Sequence, residues 1–305
     1  MQLFVHPDDG AAPILRAIQS ARRTIHLHIF RLDQRKIEAA LAAAVVRGVD
    51  VCTLIAHINA GGEPALRKLE QRLLAIGVTV ARSADEFPRY HGKMMVVDHR
   101  TLYVLGYNLT RNDMEKTRSL GVSTRKRALV EEALRLFDAD FNRKPYTTST
   151  SGFLVSPVNS RDRLAALIGR ARKQLLIYGV VSDPAMLRLL KDRQTAGVDV
   201  RVIGKMEKGH PAILSEKYPG RRLHLNAVVR DARIAFLGSQ SLRKGELDKR
   251  REVGIVFKDP ATVKRIVEIF EADWAKTDAG SKQAKRDAKL AKDARRKSRK
   301  ARTAA

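Results

Sequence analysis

The chain repeats itself, and that constrains its fold more than any other feature. Residues 160–178, SRDRLAALIGRARKQLLIY, follow the pattern of residues 12–30, APILRAIQSARRTIHLHIF. Residues 195–204, TAGVDVRVIG, echo 46–55, VRGVDVCTLI, and 261–274, ATVKRIVEIFEADW, echo 128–141, ALVEEALRLFDADF. The period is about a whole domain, so it signals a duplicated domain and not a solenoid. Any fold must hold two similar units, the second shorter than the first.

Within each unit, apolar runs of strand length alternate with helical patterns. TIHLHIF (24–30) and VDVCTLIA (49–56) read as strands. The stretch 34–48 reads as a helix stopped by Gly48, and 63–77 as a helix stopped by Gly77, glycine being the usual residue just past a helix end. KMMVVD and TLYVLG read as two strands joined by HR, and 126–143 as a helix. The alternation predicts a layered α/β domain in each unit. The helix at 63–77 has no clear counterpart in the second unit. The polar, turn-rich stretch KPYTTSTSG marks a linker. The expected organisation is a first lobe over 1–143, a linker over 144–152, a second lobe over 153–275 and a tail over 276–305.

The duplication also carries chemistry. In RYHGKMMVVDHRTLYVLGYN (89–108), His91, Lys93 and Asp98 form H-x-K-x-x-x-x-D. The equivalent stretch, LHLNAVVRDARIAFLGSQSL (223–242), sets His224 against His91 and Asp231 against Asp98, but Asn226 against Lys93. Extending the alignment from the histidines without a gap pairs Gly106 with Ser239, Asn108 with Ser241 and Ser119 with Glu252. Side chains two apart on a strand share a face, so His91 lies beside Lys93 and His224 beside Asn226. An imidazole next to an ammonium suits an anion: the lysine holds phosphate oxygens while the histidine attacks or donates a proton. Two such histidines brought together by the lobes would supply both roles.

Charge narrows the partner. The net charge is +26, of which +9 lies on the last 25 residues, so the body is basic as well. Such a chain attracts polyanions, either nucleic acid or an anionic membrane surface. The tail has one large apolar residue, Leu290, and can bind only through charge; alone it reads as disordered or weakly helical. No stretch has the length and apolarity to span a bilayer, and the N-terminus does not read as a signal peptide. Cys52 is the only cysteine, which excludes an internal disulfide and a cysteine-rich zinc site. His26 and His28 share a strand face with no third ligand at sensible spacing. They read as histidines of a half-buried layer, and His57 as a loop-edge histidine near the cleft. Trp274 and Tyr178 read as packing residues.

With these residues in place, the sequence resembles the phospholipase D superfamily, whose hallmark is H-x-K-x-x-x-x-D followed by G-S-x-N and a later Glu. The resemblance covers about residues 1–275. It implies two similar α/β/α sandwich lobes related by a pseudo-twofold axis, with one site between them that a monomer can build alone. It implies a phosphohistidine intermediate with no metal and no cofactor. By position it places His91, Lys93 and His224 in catalysis, with His91 as nucleophile and His224 as acid. Asn108, Asn226, Ser239, Ser241 and Glu252 would bind or orient phosphate, and Asp98 and Asp231 would be structural. The departures are Asn226 for the second lysine, Gly106 for serine, and Ser119 where an acid would orient a histidine. The expected function is a metal-independent phosphodiesterase on DNA or RNA. The alternatives are a phospholipid hydrolase or phosphatidyltransferase at an anionic membrane, and a catalytically reduced nucleic-acid-binding scaffold. The expected location is cytoplasmic, with attachment to the membrane periphery or the nucleoid as variants.

Overall fold

The computed structural model describes residues 1–59, 61–150, 152–207, 213–286 and 289–290. The first lobe runs β1 (Gln2–His6), α1 (Ala12–Ser20), β2 (Thr24–Ile29), α2 (Arg35–Val46), β3 (Asp50–Ile55), α3 (Gly62–Ala75), β4 (Thr79–Arg82), β5 (Met94–Val97), β6 (Thr101–Leu105), α4 (Arg111–Glu115), β7 (Ser119–Thr124) and α5 (Arg127–Phe141). The second runs β8 (Phe153–Ser156), α6 (Ser160–Gly169), β9 (Gln174–Val181), α7 (Pro184–Thr195), β10 (Asp199–Met206), β11 (Leu214–Glu216), β12 (Asn226–Arg230), β13 (Ile234–Gly238), α8 (Lys244–Asp248), β14 (Glu252–Phe257) and α9 (Pro260–Trp274).

Each lobe has one mixed sheet. The strand orders are β1-β7-β6-β5-β2-β3-β4 and β8-β14-β13-β12-β9-β10-β11, the same order strand for strand. The parallel pairs, β2 with β3 and β9 with β10, are joined through α2 and α7, as parallel strands require. Gly48 and Gly77 follow α2 and α3 with φ of +82° and +79°, the left-handed turn that ends a helix. No described helix stands between β10 and β11, where the first lobe has α3. The strand registers also shift the repeat. The Asp98 and Asp231 amides donate to the Thr24 and Gln174 carbonyls, so β9 matches β2 two residues later than the sequence similarity aligns them.

Apolar faces decide the layering. One cluster packs Ile14, Ile18, Ile37, Leu41, Leu69 and Leu73 of α1, α2 and α3 onto the outer face of the first sheet. Another packs Leu164, Ile168, Met186 and Leu190 of α6 and α7 onto the second. The largest cluster joins the lobes, with Leu129, Ala133, Leu136 and Phe137 of α5 and Val263, Ile266 and Phe270 of α9 meeting residues of both sheets. The two sheets touch where β6 and β7 face β13 and β14. After α9, residues 278–286 and 289–290 are helical, and residues 287–288 and 291–305 of the basic tail lie outside the described residues. No helix among the described residues is long and apolar enough to cross a membrane.

Candidate active site

The two histidines sit at the seam of the lobes, each just before the central strand of its own motif. Backbone bonds across the seam fix them. The His91 amide donates to the Arg251 carbonyl at 2.7 Å, and the Arg251 amide to the Arg89 carbonyl at 3.0 Å. The mirror set runs from the His224 amide to the Arg118 carbonyl at 3.0 Å and from the Arg118 amide to the Arg222 carbonyl at 2.9 Å. Two further cross-lobe bonds, the Arg118–Asp273 and Arg251–Asp140 ion pairs, lie beside these bridges at 2.7 and 3.2 Å.

Side-chain contacts then cross over. His91 Nδ1 lies 2.9 Å from Glu252 Oε2 of the second lobe. His224 Nδ1 lies 2.9 Å from Asp113 Oδ2 of the first. With these carboxylates ionised, each imidazole carries a proton on Nδ1, so that a neutral ring has Nε2 as an acceptor and a protonated ring donates from it. Among the described residues no hydrogen bond reaches either Nε2. Both rings line one cavity of about 500 Å³ and are 17% and 16% exposed.

The electrostatics differ between the two. Burial, then the Lys93 charge, pushes the His91 imidazole well below its ordinary range, so it is neutral at neutral pH. Burial pushes the Glu252 carboxyl up to about 7, against the pull of Lys93. Burial also works against ionisation of Asp113. The hydrogen bonds from His224 and Asn108 outweigh it and hold that carboxyl well below the usual carboxylate range. One histidine is thus a neutral base with a buried, proton-sharing partner. The other rests on a firmly ionised one.

Asn226, Ser239 and Ser241 line the cavity with the histidines. Asn226 Nδ2 donates to the Ser239 carbonyl at 2.9 Å, which leaves one amide hydrogen uncommitted. Ser241 binds Glu246 through its hydroxyl and, at 2.8 Å, through its amide. Lys93 does not line the cavity. It is fully buried behind His91, with Nζ donating to the His91 carbonyl at 2.6 Å, and burial lowers its pKa to about 8. Glu252 is fully buried as well. Asn108 reaches the site only through Asp113, which it binds through its amide at 3.0 Å and Nδ2 at 2.8 Å.

Asp98 and Asp231 stand away from the cavity. Each occupies the first centre of a tight turn, with φ of +53° at both and +51° at the following residue. Each accepts the amides of three consecutive residues at the start of the neighbouring strand: Arg22, Arg23 and Thr24, or Arg172, Lys173 and Gln174. Gly106 has no room for a serine side chain, since a Cβ there would lie 2.7 Å from the Leu120 carbonyl oxygen. Ser119, where an orienting acid is expected, is buried with an unpartnered hydroxyl. Asp113 takes that role instead, from the short helix α4. The signal was present: Asp113 and Glu246 are acidic at equivalent positions, five residues after Asn108 and Ser241.

The other histidines among the described residues lie outside the cavity. His28 is buried, and desolvation with nearby Arg251, Lys93 and His91 lowers its pKa to about 3. His26 stands edge-on to Phe137, and His57 Nδ1 lies 3.1 Å from Ser83 Oγ. Trp274 stacks on Phe270, and the Tyr178 hydroxyl donates to Asp273 at 2.7 Å.

A family model described as cardiolipin synthase, PLD-like domain, matches residues 14–141 and again 164–274, one match per lobe. No curated protein matches the chain. Among solved structures, it is similar to polyphosphate kinase from Porphyromonas gingivalis, with a TM-score of 0.75 and 19% identity over 88% of this chain and 46% of that one. The chain therefore spans about half the length of that kinase. Phosphatidylserine synthase from Haemophilus influenzae Rd KW20 matches with a TM-score of 0.71 and 12% identity, over 90% of this chain and 86% of that one. Nuc from Salmonella typhimurium, described as a phospholipase D family member, matches 48% of this chain and 97% of its own, at 26% identity and a TM-score of 0.43. The first two likenesses establish a shared fold.

Proposed function

The chain belongs to the phospholipase D superfamily, and from that premise we propose that it is a phosphodiesterase working through a phosphohistidine on His91, with nucleic acid as its substrate. The observation that carries this reading is the crossed pairing, in which each histidine is oriented by a carboxylate of the other lobe and both face one cavity.

The roles follow from the electrostatics. His91 is neutral, and Glu252 holds the Nδ1 proton, so Nε2 has a lone pair for phosphorus. Nε2 attacks, the P–O bond to the leaving group breaks, and His224 gives its Nε2 proton to the departing oxygen. Asp113 stabilises the protonated His224 before transfer. Water or an acceptor hydroxyl then attacks phosphorus, returns a proton to His224 and breaks the P–N bond. Lys93, buried behind His91, adds positive charge to the field of the site as negative charge builds on the phosphoryl group. Asp98 and Asp231 pin strand ends and touch no substrate. The net charge of +26 favours a polyphosphodiester over a lipid with a neutral tail.

The test incubates pure protein in EDTA with labelled DNA, RNA and anionic phospholipid vesicles. Cleaved nucleic acid is the expected result. Phosphatidic acid or cardiolipin would move the assignment to lipids, and binding without product would make the chain a scaffold. His91→Ala should lower the rate at least about a thousandfold and abolish an acid-labile, alkali-stable phosphoprotein. Activity surviving that change, or lost in EDTA alone, would overturn the mechanism.

A further inference from the structure

The lobes differ most where their central strands end beside the cavity. In the first lobe, Ile29 of β2 stands opposite Ile55 of β3, and both are buried. The matching strand registers put Gly179 of β9 and Gly204 of β10 in these places. Neither position tolerates a side chain. Gly204 has φ of +155°, and a Cβ there would lie 1.8 Å from the Gly179 carbonyl oxygen. Gly179 has φ of +125°, and its Cβ would lie 2.5 Å from Asn226 Oδ1. Asn226 is itself shorter than the lysine of the first motif. On the first lobe's side the corresponding space is filled: Phe30 is nearly buried, edge-on to His91 at 4.7 Å between ring centres, with Lys93 behind it.

The cavity therefore opens to one side. Apart from Arg89 and His91, its whole wall comes from the second lobe. That wall is strongly basic. Arg89, Lys205, Lys217, Arg222, Arg243 and Arg250 line it, against one carboxylate, Glu246. Glu246 is already committed to the Ser241 amide at 2.8 Å and Arg250 at 3.1 Å. Lys205, Lys217 and Arg222 have no carboxylate partner among the described residues. Like charges gathered around one cavity repel until an anion joins them.

We infer that this cavity is a subsite for a second phosphate group of the substrate, carried by the fragment that departs. The inference rests on the proposed roles of His91 and His224. The leaving oxygen must come within hydrogen-bond reach of the acid, and His224 stands in the second lobe's wall. The departing fragment therefore extends into the basic side, while Phe30 limits room on the other. A phosphate there satisfies the three cations that have no carboxylate partner among the described residues. A lipid headgroup carrying an ammonium would meet them with repulsion. After departure, the same wall would hold a phosphorylated acceptor.

The test compares three thymidine dinucleotides: one with no terminal phosphate, one with a 5′-phosphate and one with a 3′-phosphate. Product analysis identifies the bond cut. The extra phosphate on the departing fragment should raise kcat/KM about tenfold or more, since charge-assisted contacts are among the stronger hydrogen bonds. Placed on the retained fragment it should not. Lys205→Ala with Lys217→Ala should bring that ratio close to one. Arg16→Ala with Lys36→Ala, an equal charge change on the outer helices, should leave it. Equal kcat/KM for all three substrates, or equal losses in both variants, would overturn the subsite. Calorimetric titration of inorganic tripolyphosphate reads the subsite without turnover, at about 0.15 M salt to screen the tail. Its Kd should weaken about tenfold in the cavity variant only. If no dinucleotide is cut, the tripolyphosphate result alone decides the subsite, and cleavage of labelled DNA or RNA decides the proposed function.

Discussion

Glu252 and Lys93 carry opposite charges into a place that water does not reach, and both are fully buried. Glu252 titrates near 7 in the fold, above its ordinary value, and Lys93 near 8, below its own. The first shift means stability present in acid that is lost as pH rises toward 7. The second means stability regained only as pH rises from 8 toward the ordinary lysine range. The working charge state between 7 and 8 is thus the one that costs the fold most. Lys93→Met with Glu252→Gln should therefore leave the protein as stable or more stable by about 1–4 kcal/mol at pH 7.5, yet inactive. Urea unfolding and a turnover assay check both parts. The same titrations should make kcat/KM bell-shaped, with limbs near 7 and 8 belonging to the site as a whole. Glu252→Gln should remove the acid limb, and a limb that stayed would move its origin elsewhere. The motif spacing in the sequence marked His91, His224 and Glu252. It could not mark which carboxylate serves which imidazole, because Asp113 and His224 are far apart in the chain and meet only at the seam.

Elements place these groups through a few turns with little freedom. Asp98 and Asp231 each combine a left-handed turn residue with three accepted amides, so one aspartate ends a strand and anchors its neighbour. The sequence gives a reason for the aspartate only as a motif position; the turn geometry supplies the physical one. Gly204 is the sharper case. Within TAGVDVRVIG it reads as the end of a strand, with nothing to show that its neighbour is another glycine on β9. Gly204→Ala would force a Cβ to 1.8 Å from the Gly179 carbonyl oxygen, so the strands must part. The expected cost is about 2 kcal/mol or more in urea unfolding. An unchanged midpoint would show that the strands yield easily there. The helices were more legible. Their apolar spacing and the glycines at 48 and 77 place α2 and α3 within two residues or so, because both signals are local.

At the scale of the molecule, lobe docking and site assembly use the same residues. Arg118 of the first lobe binds Asp273 of α9 through two hydrogen bonds of 2.7 Å, while its backbone carbonyl holds the His224 amide at 3.0 Å. Arg251 makes a looser counterpart, a single ion-pair contact to Asp140 at 3.2 Å with its carbonyl holding the His91 amide at 2.7 Å, and is enclosed by the rings of Phe87, Tyr90 and Tyr146. Asp273→Asn should cost about 3–5 kcal/mol, since it strands a buried guanidinium. Activity should fall with it even where the fold survives, because the His224 strand loses its brace. A stable variant with full turnover would separate docking from catalysis. The internal repeat announced two lobes, and the family resemblance implied their pseudo-twofold relation. The cross-bracing was hidden, because each pair draws one residue from either half. The unequal walls have a consequence of their own. A cleft with true twofold symmetry would accept a polymer in either direction at equal energy. With Ile29, Ile55 and Phe30 on one flank and Gly179, Gly204 and cations that have no carboxylate partner among the described residues on the other, the two directions become inequivalent. On the proposed function, a nucleic-acid strand threaded through such a cleft would be read with one polarity, and its cut ends would all be of one kind, the phosphate always left on the same side of the break.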